Sequence, residues 1–357
     1  MSRSLQRSLN AMARLAMRAG AKALKQALRP AKKAAKPKAI KTKVAPRRAT
    51  VAQPRLKKPA TQAKVPARDK PPQWTSGVAV GASGARRYRL YKPPGVKRSE
   101  RLPLVVMLHG CAQDTQALAA STKMNRLALA ERFLVLYPEQ DGLANLQHCW
   151  NWYDTRSGRA QREADSIAFA VNHVCLTQPV DRQRVALAGL SAGAGMAALL
   201  AVRHPEHFKA VVMHSGVAPG MASSTAGALS AMRGHRVAVP LAPLAAGQHL
   251  PALLVIQGSA DPVVAPGNAA QAVQLWSNCE NARASQSRIV QLGKRYPSTV
   301  TDHHNRGRLV ATLCLVNGLG HAWSGGAAGL PYSDPKGPDA SRMAWSFIQK
   351  QFAAGAN

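Results

Sequence analysis

Acidic residues are scarce in this chain. Sixteen Asp+Glu face 49 Lys+Arg over 357 residues, a formal net charge of +33. The shortage is uneven: residues 1–70 hold 21 of the basic residues and one acid, Asp69, which leaves +20 on that stretch and +13 on the remainder. Long apolar runs are missing too. No stretch approaches the roughly 20 apolar residues that span a bilayer, so a transmembrane segment is not expected. The N-terminus lacks the uninterrupted apolar run of a secretory signal, because Arg7, Arg14, Arg18, Lys22 and Lys25 break every candidate. A cytoplasmic location is expected, although an Arg-rich, acid-poor start leaves targeting elsewhere open. Cysteine is sparse as well. Five residues at irregular spacing give neither a zinc pattern nor a disulfide framework, and most are read as buried, reduced thiols.

What the chain does have is enough apolar residue, 46%, to bury a core, and it reads in three parts. Residues 1–29 form an amphipathic basic helix in outline. At about 100° per residue, Arg3, Arg7, Arg14, Arg18, Lys22, Lys25 and Arg29 share one face, with Leu5, Leu9 and Met12 opposite. Pro30 ends the pattern. Residues 30–75 are rich in Lys, Ala and Pro, with almost nothing to bury, and are expected to be disordered. The whole stretch 1–72 suits an anionic surface or a polyanion such as DNA; a solvated extension is the alternative. Residues 76–357 read as the globular domain.

That domain opens with a hairpin, Val78–Val80 and Arg87–Tyr91 around Gly81-Ala82-Ser83-Gly84. Short unalternated apolar runs follow at 104–108, 133–137, 185–188, 210–213, 253–256 and 312–316. Such runs suit strands buried on both faces of a parallel sheet. Helical stretches lie between them near 117–131, 165–176, 193–203, 268–277 and 341–353. Strand and helix in alternation predict an α/β fold with a doubly wound, mostly parallel sheet. Residues 217–250, rich in Ala, Gly, Ser and Pro, break the rhythm and read as a lid or binding loop.

The chemical signal is Gly189-Leu190-Ser191-Ala192-Gly193. A strand precedes it and an Ala-rich helix follows, the setting of a nucleophile elbow in an α/β-hydrolase. A serine hydroxyl needs a base to become nucleophilic, and in this setting the partners follow in the order acid, then histidine. Asp261, in Gly258-Ser259-Ala260-Asp261-Pro262, and His321, in Gly318-Leu319-Gly320-His321, each follow an apolar strand. Strand carboxyl ends are where open α/β sheets place their sites. His303 and His304 read as part of a polar loop and are poor rivals. Backbone N–H groups of Ala192 and of Cys111, in His109-Gly110-Cys111, are expected to form the oxyanion hole.

Together with Leu108–Cys111, Tyr137–Gln140, Cys149-Trp150-Asn151-Trp152 and Gly320-His321-Ala322-Trp323, these motifs resemble the type I catalytic domain of polyhydroxybutyrate depolymerases over residues 76–353. These stand within a wider group of feruloyl and acetylxylan esterases. The resemblance implies a serine esterase with Ser191 as nucleophile, Asp261 as orienting acid, His321 as base and the Cys111 amide in the oxyanion hole. It implies a polyester-binding crevice lined by aromatics, with Trp323 and Trp152 as candidates; Trp150 and Trp152 can equally be core. A Cys111–Cys149 bridge fits an oxidising compartment but not the cytosol. No cofactor or metal is called for. Three readings stay open: a depolymerase acting on 3-hydroxybutyrate polyester or oligomers at intracellular granules, an esterase of acetylated or feruloylated carbohydrate, and a granule–DNA tether with secondary hydrolysis.

Overall fold

The computed structural model describes residues 73–354, apart from 243 and 246. The expected helix at 1–29 and nearly all of the linker at 30–75 lie outside the described residues.

The opening hairpin pairs β1 (Gln73–Gly81) with β2 (Gly84–Lys92), Gly81 facing Gly84 across the turn. It docks antiparallel on β4 (Leu134–Pro138). From β4 the sheet runs parallel through β3 (Leu102–Leu108), β5 (Val180–Leu190), β6 (Ala210–His214), β7 (Ala252–Gly258) and β11 (Arg308–Val316). The antiparallel strand β10 (Ser298–Asn305) follows, flanked by the short β8 (Arg283–Ala284) and β9 (Arg288–Val290). The chain therefore forms a mixed, mostly parallel sheet, as the apolar runs predict.

Both faces of that sheet are covered, which is why its strands carry apolar residues without alternation. On one face Val106, Leu108, Leu187, Val211 and Val255 pack with α3 (Arg159–Thr177), α4 (Ala192–Arg203) and α6 (Gly267–Cys279). On the other, Val105, Met107, Ala188, Val212 and Ile256 meet α1 (Thr115–Thr122), α2 (Met124–Glu131) and α7 (Ala340–Ala354).

Three expectations are corrected. The single helix near 117–131 is two, broken at Lys123, whose φ of 56° is left-handed. Thr122 Oγ1 donates to the Leu118 carbonyl and accepts the Met124 N–H, so the hydroxyl caps one helix and starts the next. His303 and His304 belong to β10 and not to a loop; a polar, half-exposed strand has no apolar run to announce it. Residues 217–250 are not irregular throughout. They contain α5 (Thr225–Met232), capped by Ser224, and Val217, Met221, Ala228 and Ala231 are buried in the core.

Candidate active site

The site is built where the parallel strands end. Ser191 directly follows β5, in the middle of the sheet, and precedes α4. Its φ of 56° with ψ of −119° lies in a region that a side chain rarely adopts, a strain of roughly 1–3 kcal/mol that the surrounding packing must offset. The two flanking glycines permit the turn. A Cβ on Gly189 would run into the Gly193 carbonyl, and one on Gly193 into the carbonyl of Leu108. The Ser191 N–H donates to the His214 carbonyl at 2.8 Å, anchoring the turn to β6.

Asp261 follows β7 by three residues and His321 follows β11 by five. Because β7 and β11 are paired, the two loops can be laced together. The Ser259 N–H donates to the Val316 carbonyl, the Ala260 N–H to that of Leu319, and the Gly318 N–H to Ser259 Oγ. The lacing sets His321 between its partners: Nδ1 lies 2.8 Å from Asp261 Oδ2 and Nε2 2.9 Å from Ser191 Oγ. Asp261, 7% exposed, also accepts from Gln257 Nε2 and from the Val263 and Val264 N–H groups. Burial alone would raise its pKa. The hydrogen bond and charge of His321, with the two backbone donors, outweigh burial and hold the carboxyl below its usual range. With Asp261 ionised, His321 Nδ1 carries the proton and Nε2 presents a lone pair to the serine hydroxyl. That is the arrangement a general base requires.

The expected oxyanion donors lie beside the serine. Position 110 is 3.5 Å from Ser191 Cβ, measured from the Cβ that a larger residue would place there. Among the described residues, the Cys111 and Ala192 backbone N–H groups donate to no protein acceptor, which leaves both available to a developing oxyanion. The loop carrying Cys111 is firmly held. The Gly110 N–H donates to Gln113 Oε1, the Ala112 N–H to the Gln147 carbonyl at 2.8 Å, and Cys111 is disulfide-bonded to Cys149. The expectation of reduced thiols fails for this pair, because the fold brings the ends of two separate loops to a Cα–Cα distance of 4.2 Å. Cys175, Cys279 and Cys314 remain thiols, and burial pushes all three up.

Behind this loop lies a buried polar network that the sequence does not announce. Gln140 accepts from Arg86 and donates to Glu163 and to the Cys149 carbonyl, while the Asn151 N–H and side chain both donate to Glu163. Arg86 lies over the Trp150 ring at 5.1 Å. The Cys149–Trp152 motif is therefore a scaffold for the loop that carries Cys111. Trp150 is core, and Trp152 is buried against the helix at Gly195.

Trp323, expected in the crevice, is 0% exposed and donates its indole N–H to Ser341 Oγ. It does not line a surface, and neither does Trp152. The turn after β11 directs the Trp323 ring inward, where it stacks on His214 with centroids 5.0 Å apart. His214 is a residue that sequence reasoning missed. It ends an apolar strand next to the nucleophile strand, and that position was its one available signal.

Known proteins resemble this chain in sequence and in fold. The family model described as Esterase PHB depolymerase matches residues 86–285. Poly(3-hydroxyalkanoate) depolymerase C of Paucimonas lemoignei is 32% identical over 61% of this chain, which spans 54% of that protein's length. Feruloyl esterase B of Neurospora crassa is 27% identical, over 56% of this chain and 73% of its own. Among solved structures, an acetyl xylan esterase from Aspergillus awamori superposes with a TM-score of 0.56 at 18% identity, over 78% of this chain and 100% of that one. At that identity the likeness speaks for the α/β-hydrolase fold alone.

Proposed function

This chain belongs to the Esterase PHB depolymerase family, and on that premise we propose that it is a serine esterase hydrolysing polyhydroxybutyrate or 3-hydroxybutyrate oligomers through an acyl-enzyme. The observation that carries the reading is His321 held at hydrogen-bond distance from both Ser191 Oγ and Asp261 Oδ2. In this reading Ser191 Oγ attacks the ester carbonyl carbon while its proton passes to His321 Nε2. Asp261 stabilises the imidazolium through Nδ1–H. The carbonyl oxygen, now negative, accepts from the Cys111 and Ala192 N–H groups. Collapse expels the alcohol oxygen, which takes the proton from Nε2. A water molecule deprotonated by His321 then attacks the acyl carbon, and Ser191 leaves with the proton restored.

The depolymerase relative supports a polyester substrate; the feruloyl esterase relative, with acetylxylan esterases among the further relatives, supports a feruloyl or acetyl ester on carbohydrate as the second reading. Incubating purified protein with amorphous polyhydroxybutyrate granules and, separately, with acetylated xylan tests them. Release of 3-hydroxybutyrate or its oligomers from the first is the expected result. Acetate from the second alone would reassign the substrate.

The Cys111–Cys149 bridge weighs against the cytoplasmic location expected from the sequence, since cytosolic thiols are kept reduced. Action in an oxidising compartment fits it better. Among the described residues, no helix is long and apolar enough to cross a membrane. Residues 1–72 are read as an electrostatic and apolar attachment to polymer granules; the alternative, a DNA tether, would require the cytoplasmic location that the bridge weighs against. Raising the salt concentration separates them, because DNA binding through counterion release collapses with salt, while contacts through Leu5, Leu9 and Met12 persist.

A further inference from the structure

We propose that His214 is a positioning residue that locks the nucleophile turn to the loop carrying the catalytic histidine. The inference rests on the Ser191–His321–Asp261 reading and adds to it a residue that touches no substrate.

His214 meets both arms of the site at once. Its carbonyl receives the Ser191 N–H at 2.8 Å, and its ring Nε2 receives the Ser324 N–H at 3.1 Å. Ser324 lies three residues beyond His321. The intervening Trp323 stacks flat on the His214 ring, with 26° between the planes. Ser324 Oγ donates to the Pro338 carbonyl and Trp323 Nε1 to Ser341 Oγ, so the far side of the strap is fixed to the segment leading into α7. The strap is also paired with Ser333 and Asp334 and laced to the Asp261 loop; the His214 contact is the one that ties it to the strand beside the nucleophile turn.

The contact fixes the protonation state of the ring. A backbone N–H can only donate, so Nε2 must be the acceptor and the ring proton sits on Nδ1, where it donates to Ser215 Oγ at 3.1 Å. The imidazole is fully buried, and burial pushes it down to about 3. The neighbouring His321 adds to the effect and Asp261 opposes it. These are the titratable groups that face it. A neutral ring is what the arrangement needs, because a protonated Nε2 would point a second donor at the Ser324 N–H. A buried histidine that stays neutral, accepts from the base's loop and offers its carbonyl to the nucleophile's amide sets the separation of the two reacting groups.

The test uses the full chain, three variants and a soluble chromogenic ester. His214→Gln places an amide oxygen near the position of Nε2 and can still accept from Ser324. His214→Asn is shorter, ends near Nδ1 and cannot. His214→Ala removes the ring altogether. Turnover should fall about 10- to 100-fold in the Asn and Ala variants, the scale of a misplacement of about 1 Å, with KM little changed, and return to within about threefold of wild type in the Gln variant. Phosphonylation by a serine-directed organophosphate should slow in parallel. Equal kcat in the Gln and Asn variants, or wild-type kcat in the Ala variant, would overturn the proposal. Loss of fold in all three would place His214 in the service of the core and overturn it equally. An Ala variant that alone fails to fold leaves the decision to the Gln and Asn pair. Failure of the underlying reading looks different: Ser191→Ala would then keep its activity whatever happens at position 214.

Discussion

Cys111, which follows the glycine 3.5 Å from Ser191 Cβ, is covalently joined to Cys149, so the loop beside the serine is tied to the Trp150 segment. The bridge spans 38 residues of sequence and closes over the Arg86–Gln140–Glu163–Asn151 network. Reducing it, or making Cys149→Ser, should cost about 2–4 kcal/mol of stability. Turnover should drop roughly tenfold, less than the loss of an oxyanion donor outright. Urea unfolding and kcat, each measured with and without dithiothreitol, would check both effects. A reduced enzyme of full activity would show that Gln113 and Gln147 hold the loop unaided.

Ser191→Ala should lower hydrolysis on the order of 10⁴-fold or more while the protein still unfolds cooperatively. Asp261→Asn should lose on the order of 10³- to 10⁴-fold, because the amide leaves the His321 imidazolium without its counter-charge. The two losses should not add in the double variant, since the three side chains act as a unit. Steady-state rates of the single and double variants decide this; additive losses would contradict a shared mechanism.

Trp323→Phe separates core from crevice. The variant keeps a ring against His214 but loses the hydrogen bond to Ser341, leaving that hydroxyl one partner short. A destabilisation of about 1–3 kcal/mol is expected, with KM for a small ester unchanged. Chemical denaturation alongside KM provides the comparison. A rise in KM without loss of stability would return Trp323 to the binding surface.

Acid should destabilise the fold well before its carboxylates titrate. Burial pushes His109 down to about 4 and His214 to about 3. In the unfolded chain both take up protons below about pH 6.5. Between 6.5 and the folded values the unfolded state therefore binds more protons, and stability falls as pH falls. Above pH 6.5 the two groups contribute no slope. The thermal midpoint should be roughly 5–10 °C lower at pH 4.5 than at pH 7.5. In His109→Gln the decline should be smaller, and calorimetric scans at the two pH values would show whether it is.

The elements legible in the sequence were those whose cause is local. Apolar runs without alternation gave the parallel strands, because both faces of the sheet are covered. Gly189 and Gly193 gave the elbow, because the turn leaves no space for a Cβ against the carbonyls of Gly193 and Leu108. The chain order of serine, acid and histidine then pointed to Asp261 and His321. Strand β10 stayed hidden, since its residues are polar and half-exposed. So did the Arg86–Gln140–Glu163–Asn151 network: Gln140 and Asn151 stand in motifs of the resemblance, but no local pattern says that folding encloses them with Arg86 and Glu163.

By itself the sequence determined which segments become strands, where the nucleophile turn falls and which residue types can carry the chemistry, because these depend on side chains within a few positions of one another. Tertiary structure alone decided that β7 and β11 are neighbours. That pairing brings His321 within reach of a serine 130 residues away. The fold also decided that Cys111 meets Cys149, that Trp323 turns inward and that His214 sits between the two arms of the site. Each of these depends on strand order and on which face a side chain takes. Local periodicity carries no record of strand order, because the free energy that selects it comes from burying the whole sheet at once.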